Sequence, residues 1–322
     1  MFDKKCALIG GREAIVVSGL KDYSLCDTLE CGQCFRYQPL TFEEGYSEYM
    51  TVVGDLLVFV GQRSRDELIF FGVSEREVDE YLVPYFALDK DYSAIRTDIS
   101  ARTDSEFLKQ AVAFGDGIRI LAQDPWEALF SFIVSQNNNI PRIRKIVASI
   151  SAAYGTNLAE KRGLSACPKT CGGFKADGGK LDTGACSQCG MCYTFPTAES
   201  VARDPSLLLP SHPGFRYRYL TDAAEKVASG EIDLDAIKKA ASYEYTVESL
   251  KGITGVGDKV ASCTALFGFG NLEAFPIDVW MKRAIDEYFG GKLDHASLGA
   301  YAGVAQQYIF HYIRHITDQN GR

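Results

Sequence analysis

Closely spaced glycines between two apolar helical patterns constrain this chain more than any other feature. They occur in Leu250-Lys-Gly-Ile-Thr-Gly-Val-Gly-Asp-Lys-Val-Ala-Ser-Cys263. Glycine permits positive φ and lets another backbone come close, so the segment predicts two helices joined by a tight hairpin. The second helix should begin at Gly257 to Asp258. Its unpaired N–H groups suit a phosphate, and Gly255 and Gly257 are the expected contacts.

Two ionisable residues stand at predicted helix starts. Lys259 falls in the first turn of the second helix, where positive charge is disfavoured, and a neutral lysine is a nucleophile. Asp278 opens another helix in Phe275-Pro-Ile-Asp-Val-Trp-Met281, where an N-cap carboxylate stays ionised. Taken singly, such a lysine is usually a solvated charge and such an aspartate only a cap. Chemistry at this pair therefore depends on the other motifs.

Length and composition bound the class of protein. The 322 residues suffice for two domains or one large one, and 46% hydrophobic residues support a substantial core. No apolar run reaches the roughly 18 residues of a membrane span, and the first residues lack the apolar core of a signal peptide, so we expect a cytoplasmic protein. The net charge of −8 argues against a nucleic-acid binder on bulk charge alone. Local basic clusters can still contact phosphates: Arg142, Arg144 and Lys145, and Arg216 with Arg218.

The order of periodic segments predicts an α+β fold. Strand-like runs cover residues 14–17, 49–53, 56–60 and 68–71, with a hairpin turn at Val53-Gly-Asp55. Ser74 and Glu77 form a capping-box pattern before a helix that should pack on this antiparallel sheet. From about residue 100 the pattern is helical, with a strong start at Asp124-Pro125 and a C-terminal helix expected from about 298 to 316. We expect an N-terminal domain over residues 1–97 and a mostly helical domain over residues 98–322.

Two polar motifs fit no regular element. Glu30-Cys-Gly-Gln-Cys-Phe-Arg36 places Gly32 among predicted strand residues, which indicates a β-bulge or a close approach of a ligand to the main chain. Ser135-Gln-Asn-Asn-Asn-Ile-Pro141 follows a strongly apolar helix. It is either a plain polar turn or a set of amides that reach toward bases, followed by basic residues for phosphates.

A cysteine cluster interrupts the helical domain. Five of the ten cysteines lie in a Gly-rich stretch, which we interpret as an insertion over residues 163–193. In an intracellular protein such a cluster favours metal over disulfides. The expected ligands of a structural zinc ion are Cys167, Cys171, Cys186 and either Cys189 or Cys192. An iron–sulfur cluster and a reduced, metal-free loop are the alternatives.

Six motifs, in this order, resemble those of the 8-oxoguanine DNA glycosylases of the helix–hairpin–helix superfamily, in the branch with an N-terminal β domain. They are Cys-Gly-Gln-Cys-Phe-Arg, Asp-Pro-Trp-Glu-Ala-Leu-Phe-Ser-Phe-Ile, Ser-Gln-Asn-Asn-Asn-Ile-Pro-Arg, Gly-Phe-Arg-Tyr-Arg-Tyr, Gly-Val-Gly-Asp-Lys-Val-Ala-Ser-Cys and Pro-Ile-Asp-Val-Trp-Met. The resemblance spans most of the chain apart from the cysteine insertion. It implies a TBP-like N-terminal domain packed on a helix–hairpin–helix glycosylase domain.

The resemblance implies a bifunctional enzyme of base excision repair. It would flip 8-oxoguanine, paired with cytosine, out of duplex DNA, excise it through a lysine Schiff base and cut the strand by β-elimination. Lys259 matches the attacking lysine, and Asp278 matches the aspartate that supports departure of the base. No cofactor is implied for catalysis. We expect a monomer that works on the nucleoid and has no membrane partner.

The same resemblance implies a base pocket and a set of DNA contacts. The carbonyl of Gly32 would sense the N7 proton of 8-oxoguanine, Gln306 would bond the base edge, and Cys263 and Phe310 would sandwich the ring. By residue type alone, Cys263 and Phe310 would more often lie in a hydrophobic core than in a ligand pocket. Implied contacts to the opposite base and the stack are Asn137, Arg142, Phe215 and Arg216. Phe215 stands where a tyrosine is common, so the aromatic wedge is kept and its hydroxyl is lost.

Two other functions compete with this interpretation. A monofunctional alkyl-base glycosylase of the same superfamily would lack the lysine, so Lys259 argues against it. A non-catalytic DNA-binding module would use only the hairpin and the zinc loop. That function would leave the pairing of Lys259 with Asp278 unexplained.

Overall fold

The computed structural model describes residues 2–161 and 190–319. The chain begins with a six-stranded antiparallel sheet in the order β1-β2-β6-β5-β4-β3. The strands are β1 (Asp3–Ile9), β2 (Arg12–Ser18), β3 (Tyr37–Glu43), β4 (Tyr46–Val53), β5 (Leu56–Gln62) and β6 (Glu67–Phe71). The predicted antiparallel sheet is confirmed, and its four apolar runs are β2, β4, β5 and β6.

The two edge strands are the ones that the sequence did not reveal. Strand β1 mixes charged with apolar residues and is buried at no position. Strand β3 contains Pro39, whose missing N–H suits a strand that is paired on one side only. Because edge strands bury few side chains, they lack the hydrophobic run that marks a central strand.

A two-residue turn fixes the register of the central strands. Val53 pairs with Leu56 across Gly54, which has a φ of +56°, so the predicted hairpin is confirmed. The predicted capping box is also present: the Glu77 amide donates to the Ser74 hydroxyl, and the Glu77 carboxylate accepts from the Ser74 amide. The helical segment that follows packs on one face of the sheet.

Helices make up most of the chain after the sheet. Their bounds are α1 (Leu25–Glu30), α2 (Glu75–Glu77), α3 (Val83–Tyr85), α4 (Tyr92–Ala101), α5 (Glu106–Phe114), α6 (Pro125–Ser135), α7 (Ile140–Tyr154), α8 (Leu158–Lys161), α9 (Ala198–Arg203), α10 (Tyr217–Ala228), α11 (Leu234–Ala240), α12 (Tyr243–Leu250), α13 (Asp258–Thr264), α14 (Val279–Tyr288) and α15 (Ala302–Gln319). Turns of 3₁₀-helix cover Pro205–Ser211, Gly214–Arg216 and His295–Tyr301, and π-helical turns cover Val78–Leu82 and Ala265–Phe269. Within the two described ranges, no helix is long and apolar enough to cross a membrane.

Helix α6 lies at the centre of the helical part. The Asp124 carboxylate caps it by accepting from the Glu127 amide, and Pro125 occupies its first turn, as predicted. Nine of its eleven residues are buried, and it packs against α7, α10 and α13. Helix α6 ends at Ser135, so its buried axis holds the following asparagine turn in a fixed place at the surface.

Two local expectations were wrong. Gly32 does not lie in a bulged strand; it follows α1 in a loop and has a φ of +91°. The single C-terminal helix expected from about residue 298 is instead the 3₁₀ segment His295–Tyr301 followed by α15. Gly299, with φ +69° and ψ −148°, is not helical and kinks the chain within the 3₁₀ segment.

The predicted cysteine insertion falls mostly outside the described residues, and so do Cys167, Cys171, Cys186 and Cys189. Cys192 is described: it is buried, and its sulfur lies 3.9 Å from the sulfur of Met50. On either side of residues 162–189, Asn157 pairs with Tyr193 in an antiparallel bridge. Among residues 2–161 and 190–319, no group of histidine, cysteine or acidic side chains is arranged to hold a metal ion.

Candidate active site and DNA interface

A cavity of about 680 Å³ opens among the loop after α1, the turn between α6 and α7, and helices α13, α14 and α15. It collects most of the residues that the sequence singled out, although they are spread over more than half of the chain. The predicted residues in its wall are Gly32, Asn137, Gly257, Lys259, Cys263, Asp278, Gln306 and Phe310. Gly255, Arg142, Phe215 and Arg216 are not in the wall.

Lys259 reaches the cavity from the first turn of α13, as predicted. Its ammonium donates to the Ser135 hydroxyl over 3.0 Å and lies 5.4 Å from the centre of the Phe132 ring. The Ser135 hydroxyl in turn donates to the Phe132 carbonyl over 2.8 Å, so its oxygen is fixed as an acceptor for the lysine. The end of α6 therefore holds the lysine side chain in place.

Asp278 is the N-cap of α14, as predicted. Its Oδ1 atom accepts from the amides of Trp280 and Met281, over 3.0 and 2.9 Å. Both backbone bonds fall on one oxygen, and within the described parts of the chain no hydrogen bond reaches Oδ2. The cap therefore fixes the carboxylate and leaves one oxygen available at the cavity wall.

Cys263 lies one helical turn after Lys259 and is buried in the cavity wall. Burial raises the pKa of its thiol to about 11, although the nearby ammonium of Lys259 opposes the rise. The side chain is therefore a neutral thiol at physiological pH. It provides a small apolar surface and does not compete with Lys259 as a nucleophile.

Glutamine side chains hold the backbone on both sides of Gly32. The carbonyl of Cys31 accepts from the Gln307 amide group over 2.9 Å, and the carbonyl of Gln33 accepts from the Gln123 amide group over 2.8 Å. The Gln33 side chain makes three further bonds to the backbone, to Thr28, Arg119 and Leu121. A Cβ on Gly32 would lie 3.2 Å from the Phe310 ring, so a larger residue would fill the gap between them.

Gln306 and Phe310 project from the same face of α15 into the cavity. Gln306 is only 5% exposed, and its Oε1 atom has no hydrogen-bond partner in the described parts of the chain. A buried amide oxygen without a donor is costly and calls for an explanation. At a cavity wall, the explanation is a ligand that supplies an N–H group.

Asn137 lies at the tip of the turn between α6 and α7, with a φ of +47°. Arg216 holds this turn: its guanidinium donates to the carbonyls of Gln136 and Asn137, and to that of Pro213. Arg216 is only 5% exposed, and burial, together with the charge of Arg142, lowers its pKa. Arg216 thus contacts the backbone of Asn137, the residue predicted to contact the opposite base.

The surface beside this turn carries the predicted wedge and part of the predicted basic cluster. The Phe215 ring is 48% exposed, and the Arg216 guanidinium lies 4.5 Å from its centre. Arg142 is exposed in the first turn of α7. Arg144 is not available as expected: it donates to the Tyr37 carbonyl and stacks on the Tyr37 ring at 4.1 Å.

The predicted helix–hairpin–helix unit consists of α12, the glycine turn and α13. Gly255 has a φ of +81°, and a Cβ there would lie 2.5 Å from the Tyr219 ring. Gly257 is the N-cap of α13 with no side-chain cap, and a Cβ there would meet nothing within 4 Å. The two glycines therefore differ. The fold requires a glycine at Gly255, whereas Gly257 leaves the amides at the start of α13 uncovered.

Several residues of the cavity wall escaped the sequence reasoning, among them Ser135, Gln307 and Arg314. Ser135 precedes the asparagine turn, Gln307 follows Gln306, and Arg314 lies one turn beyond Phe310 on the same face of α15. The spacing of positions 306, 310 and 314 was the one signal that could have revealed Arg314. No local pattern marks Ser135 or Gln307, because their partners are distant in sequence.

Comparison with known proteins places this architecture in a family. Residues 15–129 match the family described as "8-oxoguanine DNA glycosylase, N-terminal domain". The chain is 33% identical to MBOgg1, solved with a low-affinity DNA ligand, with a TM-score of 0.79 over 98% of this chain and 99% of that one. It is 30% identical to the Clostridium acetobutylicum 8-oxoguanine glycosylase/lyase, solved with duplex DNA carrying cytosine opposite 8-oxoguanine, with a TM-score of 0.78 over 100% and 99% of the two chains.

A curated relative agrees with these structures. The N-glycosylase/DNA lyase of Saccharomyces cerevisiae is 28% identical over 281 residues, which is 80% of this chain and 66%, just under two thirds, of the yeast protein. The chain belongs to the 8-oxoguanine DNA glycosylases of the helix–hairpin–helix superfamily.

Proposed function

We propose that this protein is a bifunctional DNA glycosylase that excises 8-oxoguanine opposite cytosine from duplex DNA and then cuts the strand as an AP lyase, in base excision repair. One observation carries the proposal. A single cavity contains a lysine held by hydrogen bonding, Lys259, a capped carboxylate, Asp278, and a buried acceptor without a donor, Gln306.

Recognition of the base follows from the acceptors in the wall. The N7 atom of 8-oxoguanine carries a proton, whereas N7 of guanine is an acceptor. Facing the Gly32 carbonyl, guanine would leave two acceptors apposed and unpaired, at a cost of roughly 1–3 kcal/mol. Gln306 Oε1 receives an N–H of the base edge, and Cys263 and Phe310 lie on the two faces of the ring. The glutamine bonds around Gly32 keep its carbonyl from turning away.

The chemistry combines a nucleophile with an electrostatic partner. Lys259 Nζ acts as the neutral amine, after its ammonium has lost a proton to solvent. It forms a bond to C1′ while the bond from C1′ to N9 breaks; the electron pair of that bond leaves with the base, which takes up a proton, and Nζ gives up a second proton to become the neutral secondary amine. The Asp278 carboxylate stabilises the positive charge that develops on the sugar. Opening of the sugar ring gives a Schiff base, and loss of a C2′ proton then expels the 3′ phosphate. These steps need no cofactor.

Contacts outside the cavity hold the duplex. Asn137 fills the space that the flipped base leaves and reads the orphaned cytosine together with Arg142 and Arg216. Phe215 wedges into the stack, and its 48% exposure supports that role. The amides of Gly255 and Gly257 bind a phosphate at the start of α13. Extrusion of the base costs a few kcal/mol, which these contacts offset.

The proposal extends to a structural zinc ion, to assembly and to location. Cys167, Cys171, Cys186 and either Cys189 or Cys192 hold the zinc; the spacing of these thiols in the sequence supports a tetrahedral site. Metal analysis of purified protein tests this, since an iron–sulfur cluster would make the protein brown. We propose that the protein is a monomer. We propose that it works in the cytoplasm on nucleoid DNA.

A trapping experiment tests the central chemistry. Borohydride reduces a Schiff base to a stable amine, so wild-type protein incubated with an 8-oxoguanine duplex should yield a covalent protein–DNA adduct. Lys259→Gln should abolish both the adduct and base release, because an amide is not a nucleophile at C1′. Lys282→Gln, at another lysine of the cavity wall, is the matched control and should trap normally.

The same assay separates the alternatives. Release of 3-methyladenine but not 8-oxoguanine would indicate an alkyl-base glycosylase, and binding without release would indicate a DNA-binding module. Undiminished trapping in Lys259→Gln would refute the role of this lysine. Equal cutting opposite adenine and cytosine would mean that Asn137, Arg142 and Arg216 do not read the partner base.

A further inference from the structure

Arg314 places a cation at the edge of the base cavity, beside Gly32. It lies on α15 two turns after Gln306, and its guanidinium carbon is 5.4 Å from the centre of the Phe310 ring. Its Nη1 atom is 3.7 Å from the position that a Cβ on Gly32 would occupy. Arg314 is therefore next to the carbonyl-bearing loop and next to a face of the cavity.

The charge of Arg314 is not neutralised within the described parts of the chain. No carboxylate lies within ion-pair distance of it there, and it donates no hydrogen bond to those residues. Burial lowers the pKa of His311, one turn away, and the positive charge of Arg314 lowers it further. The Arg314 side chain is partly buried, but none of its nitrogen atoms is both buried and unpaired, so solvent reaches the guanidinium at the mouth of the cavity. The cavity wall thus presents an unused set of N–H donors, held in place by the Phe310 ring.

We propose that Arg314 reads the oxidised edge of the flipped base by donating a hydrogen bond to O8. This inference rests on the proposed function and deepens it. The damaged edge of 8-oxoguanine presents a donor, N7–H, beside an acceptor, O8. The protein brings Gly32 and Arg314 together in the cavity wall, with Arg314 Nη1 3.7 Å from the position of a Gly32 Cβ, so a backbone acceptor and a guanidinium donor lie close to each other. Guanine has only a C–H at C8, so it would leave the arginine without its acceptor.

A comparison of two substrates tests this role. One duplex carries 8-oxoguanine opposite cytosine, and the other carries an abasic site opposite cytosine, which keeps the phosphates but has no base. Arg314→Leu should slow single-turnover release of 8-oxoguanine roughly 10- to 100-fold, the range for a hydrogen bond to a charged group. It should leave strand cleavage at the abasic site unchanged. Arg314→Lys should lie between, since lysine keeps the charge without the planar donors.

Two controls sharpen the result. A duplex with 8-thioguanine keeps N7–H and replaces O8 by sulfur, a weaker acceptor, so the gap between wild type and Arg314→Leu should narrow. Lys282→Leu removes a different wall cation and should not separate the two substrates. Thermal unfolding of each variant checks the fold.

Two results would overturn the proposal. If Arg314→Leu slows both substrates equally and makes the salt dependence of DNA binding shallower, Arg314 contacts a phosphate instead. If it slows neither, Arg314 has no part in recognition. Wild-type protein that leaves 8-oxoguanine uncut would refute the proposed function itself, and this inference with it. That outcome is distinct because it does not depend on any variant.

Discussion

At the residue scale, side chains lock the backbone on both sides of Gly32 in place. Gly32 contributes only a carbonyl, yet Gln307 and Gln123 bind the carbonyls on either side of it. Gln33 ties the same loop to residues 119 and 121 of the helical part. Because the backbone on both sides is held, the Gly32 peptide cannot rotate freely. Under the proposed function, the cost of apposing its carbonyl to an acceptor would therefore remain, which is the basis expected for discrimination.

Gln307 should matter for excision as well as for stability. Gln307→Leu leaves the Cys31 carbonyl buried without a donor, which we expect to lower the free energy of unfolding by about 1–3 kcal/mol. The loosened loop should also slow release of 8-oxoguanine while cleavage at an abasic site is retained. Urea unfolding and single-turnover assays measure the two effects. Gln319→Leu, at the exposed end of α15, is the control. A stability loss with normal excision would limit Gln307 to a structural role.

The sequence predicted which residues meet at the cavity, but not what supports them. Lys259 and Asp278 stand in short motifs that carry their own local structure, and the four-residue spacing of Gln306 and Phe310 puts both on one face of α15; the catalytic and recognition roles of these residues stay predictions. Gln307 was missed because its partner, the Cys31 carbonyl, lies 276 residues away. Arg144 was misjudged for the same reason: its charge suggested a phosphate contact, whereas the fold directs it to the Tyr37 carbonyl.

At the element scale, the two glycines of the hairpin turn, Gly255 and Gly257, meet different structural requirements. The sequence alone does not distinguish them. Gly255 has positive φ and sits against the Tyr219 ring, so the turn cannot form with a side chain there. Gly257 has extended backbone and open space around it. Its lack of a side chain keeps the first amides of α13 accessible. Only the backbone geometry separates these two roles.

Substitution of the two glycines should therefore affect different properties, protein stability at Gly255 and DNA binding at Gly257. Gly255→Ala should destabilise the protein by roughly 1–3 kcal/mol or more, through strain at positive φ and overpacking against Tyr219. Gly257→Ala should leave the unfolding free energy nearly unchanged and weaken DNA binding, because its methyl group obstructs the phosphate. Urea unfolding and DNA affinity at one fixed salt concentration measure both. Wild-type affinity in Gly257→Ala would argue against a phosphate at this helix start.

Elements with strong local signals were predicted, and elements set by their surroundings were not. The central strands and the capped helix α6 carry hydrophobic runs and caps of their own. Strands β1 and β3 form because each pairs by hydrogen bonds with a neighbouring strand, β2 and β4 respectively. The amino-acid composition of β1 and β3 gives no sign of this pairing. The break at Gly299 is likewise a matter of backbone geometry within an otherwise helical pattern.

At the scale of the whole molecule, a buried ion pair joins the sheet to the helical part. Arg36, at the end of the loop that carries Gly32, binds the Glu127 carboxylate of α6 over 2.9 Å, and the two side chains are 3% and 17% exposed. Arg36 also donates to the Tyr193 carbonyl. Because α6 ends at Ser135, which holds Lys259, this pair connects the loop that carries Gly32 to the helix that holds Lys259.

Loss of one partner of this ion pair should destabilise the protein in a pH-dependent way. Burial raises the pKa of Glu127, and the charge of Arg36 opposes that rise. Arg36→Met removes the opposition, so the folded state binds a proton more readily than the unfolded state does. The variant should lose about 3–5 kcal/mol of unfolding free energy at pH 7. The loss should shrink as the pH falls toward the ordinary glutamate value of 4.5, because protonation removes the buried charge.

A double variant separates the ion pair from the packing around it. Arg36→Met with Glu127→Leu replaces both charges by apolar groups, so no unpaired carboxylate remains. It should recover much of the lost stability at pH 7 and show little dependence on pH. Urea unfolding of both variants at pH 7 and pH 5 is the measurement. If the double variant is as unstable as Arg36→Met at both pH values, the loss comes from the missing bond to Tyr193 and from packing. In that case the ion pair does not couple the two parts of the molecule.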